Sequence, residues 1–273
     1  MIAVTQVAAA FIVPLSHIVF RSLDSKNTAA GILTKTPTSN TALTATTHGQ
    51  SINKDIKIAI TGGGIGGMTL ALSLIDAGFH NVDIYESAPN INELGVGINV
   101  QPHAIRELIE LGIGDELKKT GIPTDEILYF HKNGQFIYGE PRGLRAGYNW
   151  PQYSIHRGKL INLLYWEVQS RLNGNRIHTG HEVVDCGSSS RGYGAWAEFL
   201  VINNTTGSDE FIKISADLII GCDGVHSNIR KALTRERAPT WMGITMLRGL
   251  TRMKPFLGGR TMTIIGPIEN QMV

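Results

Sequence analysis

Apolar and polar positions along the chain change rhythm near residue 55. Ile56-Lys57-Ile58-Ala59-Ile60 alternates and then runs apolar, the pattern of a buried strand. Residues 62–67 form a glycine-rich turn, and residues 65–77 are apolar apart from Thr69, Ser73 and Asp76, which predicts a buried helix. Gly78 stands where such a helix places its C′ residue. Val82-Asp83-Ile84-Tyr85 is the next short strand, so residues 56–86 read as one βαβ unit.

Further along, a helix is expected over residues 102–111: Pro102 suits its first turn, Ile105, Leu108 and Ile109 share a face, and Gly112 follows. Residues 127–130 and 136–138 flank Lys132-Asn133-Gly134, a hairpin signature. A third helix is expected over about residues 158–172, with Leu160, Leu163, Leu164 and Val168 on one stripe. Three strand-like runs between residues 176 and 214, including 196–202 and 210–214, read as a small antiparallel meander. Asp217-Leu218-Ile219-Ile220 is another buried strand, and no internal repeat is visible.

Before residue 55 the pattern is different. Residues 1–20 carry no charge, but Gln6, Pro14, Ser16 and His17 weaken them as a membrane span, and no basic n-region marks a secretory signal. Residues 21–54 contain 12 Ser or Thr among 34 and read as a disordered linker. A cytoplasmic location is expected, with membrane anchoring or mitochondrial import through this leader as alternatives.

Composition sharpens the division. With 42% hydrophobic and 18% charged residues in 273, the chain is neither disordered nor polytopic. The formal charge of +2 misleads: residues 1–54 hold four basic side chains against one acid, so the remaining 219 residues sum to −1. Nothing there calls for a nucleic acid partner. The two cysteines, Cys186 and Cys222, exclude a disulfide scaffold, and no Cys/His cluster has metal-ligand spacing.

The chemistry begins at Gly62-Gly63-Gly64-Ile65-Gly66-Gly67, a G-x-G-x-x-G between strand and helix. Gly62 permits the tight turn, Gly64 lets backbone approach a pyrophosphate, and Gly67 allows close helix–strand packing. Ile65 opens the helix whose free N–H groups face the phosphates. Glu86 ends the second strand 19 residues after Gly67, where a carboxylate can accept from both hydroxyls of an adenosine ribose and repel a 2′-phosphate. These residues specify a dinucleotide and leave FAD or NAD open.

Four segments in order resemble the class A flavoprotein monooxygenases, the group of salicylate and hydroxybenzoate hydroxylases. They are the glycine fingerprint with Ile84-Tyr85-Glu86-Ser87; Glu93-Leu94-Gly95-Val96-Gly97-Ile98 leading to Pro102; Ile155-His156-Arg157 with Leu160; and residues 217–230 around Asp223-Gly224. Together they cover residues 55–235. The resemblance implies FAD. It implies that backbone at Gly95 and Gly97 passes close to a flat ring system, and that Arg157 bonds the flavin's phosphate or ribityl oxygens. It also implies that Asp223, before Gly224, holds a ribityl or neighbouring donor in a motif tied to NAD(P)H binding. Without the resemblance, residues 95–97 read as a loop, Arg157 as an ordinary exposed arginine and Asp223 as a turn residue.

Several positions depart from the family pattern. Ser87 stands where a basic residue is common, and Cys222, in place of a small residue, reads as a buried structural thiol. His48, His131 and His178 fall in no motif and read as surface or packing residues. Arg248-Gly249 and Pro255-Phe256-Leu257 resemble opening strands of the family's substrate domain, with Arg248 lining a pocket or only a strand. Family members run on well past this point to a further Gly-Asp motif. This sequence stops at Val273, with residues 261–265 a strand lacking visible partners and no G-D-x-x-H.

The expected fold is therefore α/β: a Rossmann-like FAD-binding domain of glutathione-reductase type with an incomplete mixed-sheet substrate domain. The expected divisions are a leader over 1–54, the FAD-binding domain over 55–238, and the start of the substrate domain over 239–273. The hairpin at 127–138 belongs either to the second part or to the substrate layer. The implied function is NAD(P)H-driven hydroxylation of a small aromatic molecule with O2 through a C4a-hydroperoxyflavin. The alternatives are a truncated FAD-binding remnant without turnover and an NAD-dependent dehydrogenase. No catalytic side chain and no metal site is identified.

Overall fold

The computed structural model describes residues 53–91, 96–189, 194–201, 209–234, positions between 239 and 251, and 254–266. Earlier in the chain it describes short strands β1 (Ile2–Ala3), β2 (Val19–Arg21), β3 (Ala30–Ile32), β4 (Thr46–Thr47) and β5 (Gln50–Ser51). The expected linker otherwise lies outside the described residues, as do His48, Glu93, Leu94, Gly95 and Arg248. Among the described residues no helix is long and apolar enough to cross a membrane.

The remaining elements run in order as β6 (Ile58–Thr61), α1 (Ile65–Asp76), β7 (Val82–Glu86), β8 (Gly97–Val100), α2 (Pro102–Glu110) and α3 (Gly114–Thr120). Next come β9 (Ile122–Thr124), β10 (Glu126–Phe130), β11 (Phe136–Pro141), β12 (Gln152–His156) and α4 (Arg157–Arg171). Then follow β13 (Ile177–Thr179), β14 (His181–Ser188), β15 (Ala195–Val201), β16 (Glu210–Ala216), β17 (Leu218–Gly221), α5 (Asn228–Thr234) and β18 (Thr261–Ile265). They form two compact units, Met1–Asn92 with Ile161–Gly243 and Glu93–Leu160 with Ile244–Val273.

The first unit is built on a parallel sheet of order β1-β17-β6-β7-β13. Every residue of β6 is buried, as in parallel strands covered on both faces. Helix α1 buries Thr69, Ala71 and Leu74 as well as Met68, Leu72 and Ile75, more than one face, which is why its sequence is apolar almost all round. Strands β14, β15 and β16 form the expected antiparallel meander. Its alternate residues Ala195, Ala197 and Phe199 join Ala59, Tyr85, Ile219 and Ile229 in one core. Tyr85 stacks on Phe199 at 4.5 Å between ring centroids.

The run after residue 176 is divided differently from the sequence reading. Gly180, at φ +70, separates β13 from β14, and β13 leaves the meander to pair in parallel with β7. Asp83 on β7 fixes that pairing, accepting from Arg176 at 3.1 Å and lying 3.0 Å from His178 Nε2. His178 also stacks on Tyr85 at 4.7 Å, a packing role.

The second unit carries two three-stranded sheets, β8-β12-β9 and β11-β10-β18. The first is antiparallel throughout. In the second, β10 and β11 are the expected hairpin. Strand β18 is not without partners: it pairs in parallel with β10, Glu126 opposite Thr261 through Phe130 opposite Ile265. Pro255-Phe256-Leu257 is not a strand but leads into a 3-10 turn at Leu257–Gly259.

Candidate dinucleotide site

Strand β6 ends at Thr61, and the chain turns at Gly62 with φ +101, a conformation glycine adopts without strain. A Cβ there would also lie 2.3 Å from the Cys222 carbonyl oxygen. That crowding follows from the sheet: β17 lies beside β6, and Cys222 N–H donates to the Thr61 carbonyl at 2.7 Å. Gly67 is required for a second reason, since its Cβ would meet the Gly62 carbonyl oxygen at 1.9 Å. Gly64 differs from both. It caps α1 with no side-chain hydrogen bond, and a Cβ on it would meet nothing within 4 Å. The first N–H groups of α1, beginning at Ile65, have no acceptor within the helix and stand at its positive end.

Glu86 closes the other side of this turn. Its Oε2 accepts from Gly63 N–H at 2.6 Å; its Oε1 accepts from Ala88 N–H at 2.8 Å and from the Ser87 hydroxyl at 3.1 Å. The carboxylate is thus fixed at the end of β7 against the glycine turn. Ser87, a departure from the family pattern, supplies one of the three donors.

Asp223 and Gly224 follow β17 on the same side. The Asp223 carboxylate accepts from the Ser227 hydroxyl at 2.6 Å and from Asn228 and Ile229 N–H at 2.8 and 3.2 Å. It holds neighbouring donors and caps α5. Ser227 in turn accepts from Arg230 N–H at 2.9 Å. Gly224, at φ +80, is exposed, with open space where a Cβ would stand. Cys222 is partly rather than fully buried, and its desolvating surroundings push the thiol up to about 12, with the Asp223 charge adding to the effect.

Gly97 and Arg157 lie in the second unit and are brought together there. Gly97 pairs with His156 across β8 and β12, and Arg157 N–H donates to the Val96 carbonyl at 3.0 Å. Gly97 has open space at its Cβ position. Arg157 is exposed at the first residue of α4. Beside them is a polar row the sequence reading missed. Gln152 is buried with Oε1 unpartnered, and His156 Nδ1 is likewise buried without a partner. Ser154, two residues from each, donates to Asn99 Oδ1 at 2.7 Å and lies 2.7 Å from Thr124 Oγ1. The period-two spacing of Gln152, Ser154 and His156 on one strand was the available signal.

Strand, glycine turn, helix and strand-end acid define the first unit as a dinucleotide-binding α/β protein. A family model described as an FAD binding domain matches residues 55–254, and the chain belongs to this family of class A FAD-dependent aromatic monooxygenases. It is 42% identical over 208 residues to the phenazine 1,6-dicarboxylic acid hydroxylase PhzS of Lysobacter antibioticus, covering 76% of this chain and 50% of the relative. It is 33% identical over 202 residues to the 3-amino-4-hydroxybenzoate 2-monooxygenase of Streptomyces cremeus, covering 73% and 47%. The solved 2,6-dihydroxypyridine-3-hydroxylase from Arthrobacter nicotinovorans aligns with a TM-score of 0.52 at 29% identity, over 69% of this chain and 42% of that one. The chain spans about half the length of the curated relatives it matches.

Proposed function

We propose that the chain is the FAD-binding part of an NAD(P)H-driven monooxygenase that hydroxylates a small aromatic molecule with O2. The observation that carries this reading is the uncapped start of α1 at Gly64, open in front and flanked by the fixed carboxylate of Glu86. An open cradle of N–H donors beside an acid suits a diphosphate joined to a ribose with a free 2′-hydroxyl. FAD would supply electron transfer from NAD(P)H and activation of oxygen.

The protein's own groups bind and orient. The N–H groups from Ile65 onward hold the diphosphate. A carboxylate offers about four acceptor sites, and Gly63, Ser87 and Ala88 occupy three of those on Glu86. The two ribose hydroxyls then take the fourth and displace the Ser87 hydroxyl, the one donor free to rotate away. Asp223, similarly occupied threefold, retains room for one ribityl hydroxyl. Within the second unit, exposed Arg157 offers a guanidinium to an anionic group, and the open backbone at Gly97 offers room beside a flat ring. We assign residues 55–238, apart from the β10–β11 hairpin, to a Rossmann-like cofactor domain of glutathione-reductase type, and β11-β10-β18 to the start of a substrate layer. The aromatic substrate class rests on the names of the relatives, which hydroxylate phenazine and benzoate carboxylic acids.

The test is FAD titration of the full chain, read by quenching of flavin fluorescence. Glu86→Ala is expected to weaken binding by roughly tenfold or more, the scale of hydrogen bonds to a charged acceptor. Unchanged affinity would remove Glu86 from the ribose site, and binding of NAD in preference to FAD would favour a dehydrogenase.

A further inference from the structure

The first unit carries a second cleft far from the glycine turn. It has a volume of about 540 Å³, and its lining includes Lys57, Trp196, Lys213, Ser215 and Asp217. Lys57 precedes β6 whereas Gly62 follows it, so the length of that strand, roughly 13 Å at about 3.3 Å per residue, separates the two places.

The cleft has an aromatic platform. Gly187 stands opposite Trp196 in the β14–β15 ladder, and a Cβ on Gly187 would come within 2.8 Å of indole Cε2 and Cζ2. The indole therefore rests on bare backbone, an arrangement any other residue at 187 would disturb. Lys213 Nζ lies 3.4 Å from the centroid of the same ring. Glu198 is directly across the β15–β16 ladder from Lys213, yet no ion pair joins Lys213 to a carboxylate among the described residues. The one acid in the lining, Asp217, uses Oδ2 to accept from Lys57 N–H at 2.7 Å, so it anchors backbone. Lys57, Lys213, Trp196 and Ser215 thus line one space of the size that small-molecule sites occupy, with the Lys213 ammonium on the indole.

We propose that this cleft binds a planar aromatic carboxylate. The ring stacks on Trp196 in the place the Lys213 ammonium now covers. Lys213 swings from the indole to the carboxylate, which Lys57 approaches from the strand end. The site lies outside the proposed flavin machinery and performs no chemistry.

The test is titration of the full chain with naphthalene-2-carboxylate and, separately, naphthalene-2-methanol. The readout is the Trp196 indole N–H resonance, assigned by its loss in Trp196→Phe. The acid should shift that resonance saturably, and the neutral alcohol should bind at least several-fold more weakly. Lys57→Gln and Lys213→Gln should each weaken the acid by about threefold, and the double variant by about tenfold, the scale of exposed ion pairs. Adding FAD should leave the curve unchanged. The proposal fails if no saturable shift appears, if the alcohol binds equally, or if the double lysine variant binds like the parent. It also fails if FAD displaces the acid, a result that would leave the flavin reading standing.

Discussion

Asp223→Ala separates an acid that supports the fold from one that serves only a ligand. The substitution removes the acceptor for the Ser227 hydroxyl and for two N–H groups in the first turn of α5. Hydrogen bonds to a charged group contribute about 1.5–3 kcal/mol each. Ser227 keeps its own capping bond to Arg230 N–H, so part of the helix start survives. The half-buried position lets water replace some of what is lost. We expect a net destabilisation of about 3 kcal/mol. The effect propagates because α5 delivers Ile229, fully buried, into the core with Phe199 and ties to the Val183 carbonyl through Asn228. Urea unfolding followed by tryptophan fluorescence should show the midpoint falling by roughly 1 M at an m-value of 2–3 kcal/mol/M. Asp223→Asn, which keeps one carbonyl acceptor, should lose about half as much. A variant within 0.5 kcal/mol of the parent whose FAD affinity nonetheless collapses would refute the capping role.

Two glycine substitutions should divide in the same way. Gly67→Ala places a Cβ 1.9 Å from a backbone oxygen and should prevent stable folding, seen as loss of a cooperative thermal transition. Gly64→Ala fills only open space, so its melting temperature should stay within a few degrees while FAD affinity falls. Alkali provides a third test. The Cys222 thiol moves from 9.0 to about 12 on folding, and the Tyr85 phenol, raised chiefly by burial, from 10.0 to about 12. The unfolded chain releases these protons first, so their contribution is intact below pH 9 and is lost as pH rises towards 12. The unfolding free energy should decline across that window, with a shallower slope in Cys222→Ala; an identical slope would refute the assignment to Cys222.

The βαβ unit was legible because its information is local: a strand period, a glycine turn and an apolar helix lie within one run of sequence. The meander was legible for the same reason, since β14, β15 and β16 are consecutive and alternate. What escaped was set by distant pairing. Gly180 looked like one turn among several, and only the Asp83–Arg176–His178 contact explains why the three residues before it join β7. The partner of β18 lies across most of the second unit, in a hairpin that also reads as complete by itself. Strands β8, β9 and β12 are short and carry mixed polarity, which hides their period. In the site, the glycines and Glu86 could be placed from spacing alone. The donors that fix Glu86 and Asp223 could not, because backbone N–H groups leave no mark in a sequence.

The crowding of Gly62 against the Cys222 carbonyl has a consequence for biosynthesis. A ribosome delivers the glycine turn early, but the wall behind it arrives only with β17. Until that strand inserts beside β6, the turn is held from the β7 side alone, by Gly62 and Gly63 N–H bonds to Tyr85 and Glu86, and a nascent chain ending before Cys222 lacks the wall behind it. Cofactor capture is therefore expected to be completed only after β17 is in place. Once it occurs, it stabilises the inserted strand in proportion to the logarithm of free cofactor concentration. Cellular flavin supply would then set how much newly made protein survives, with no change in how fast it is made.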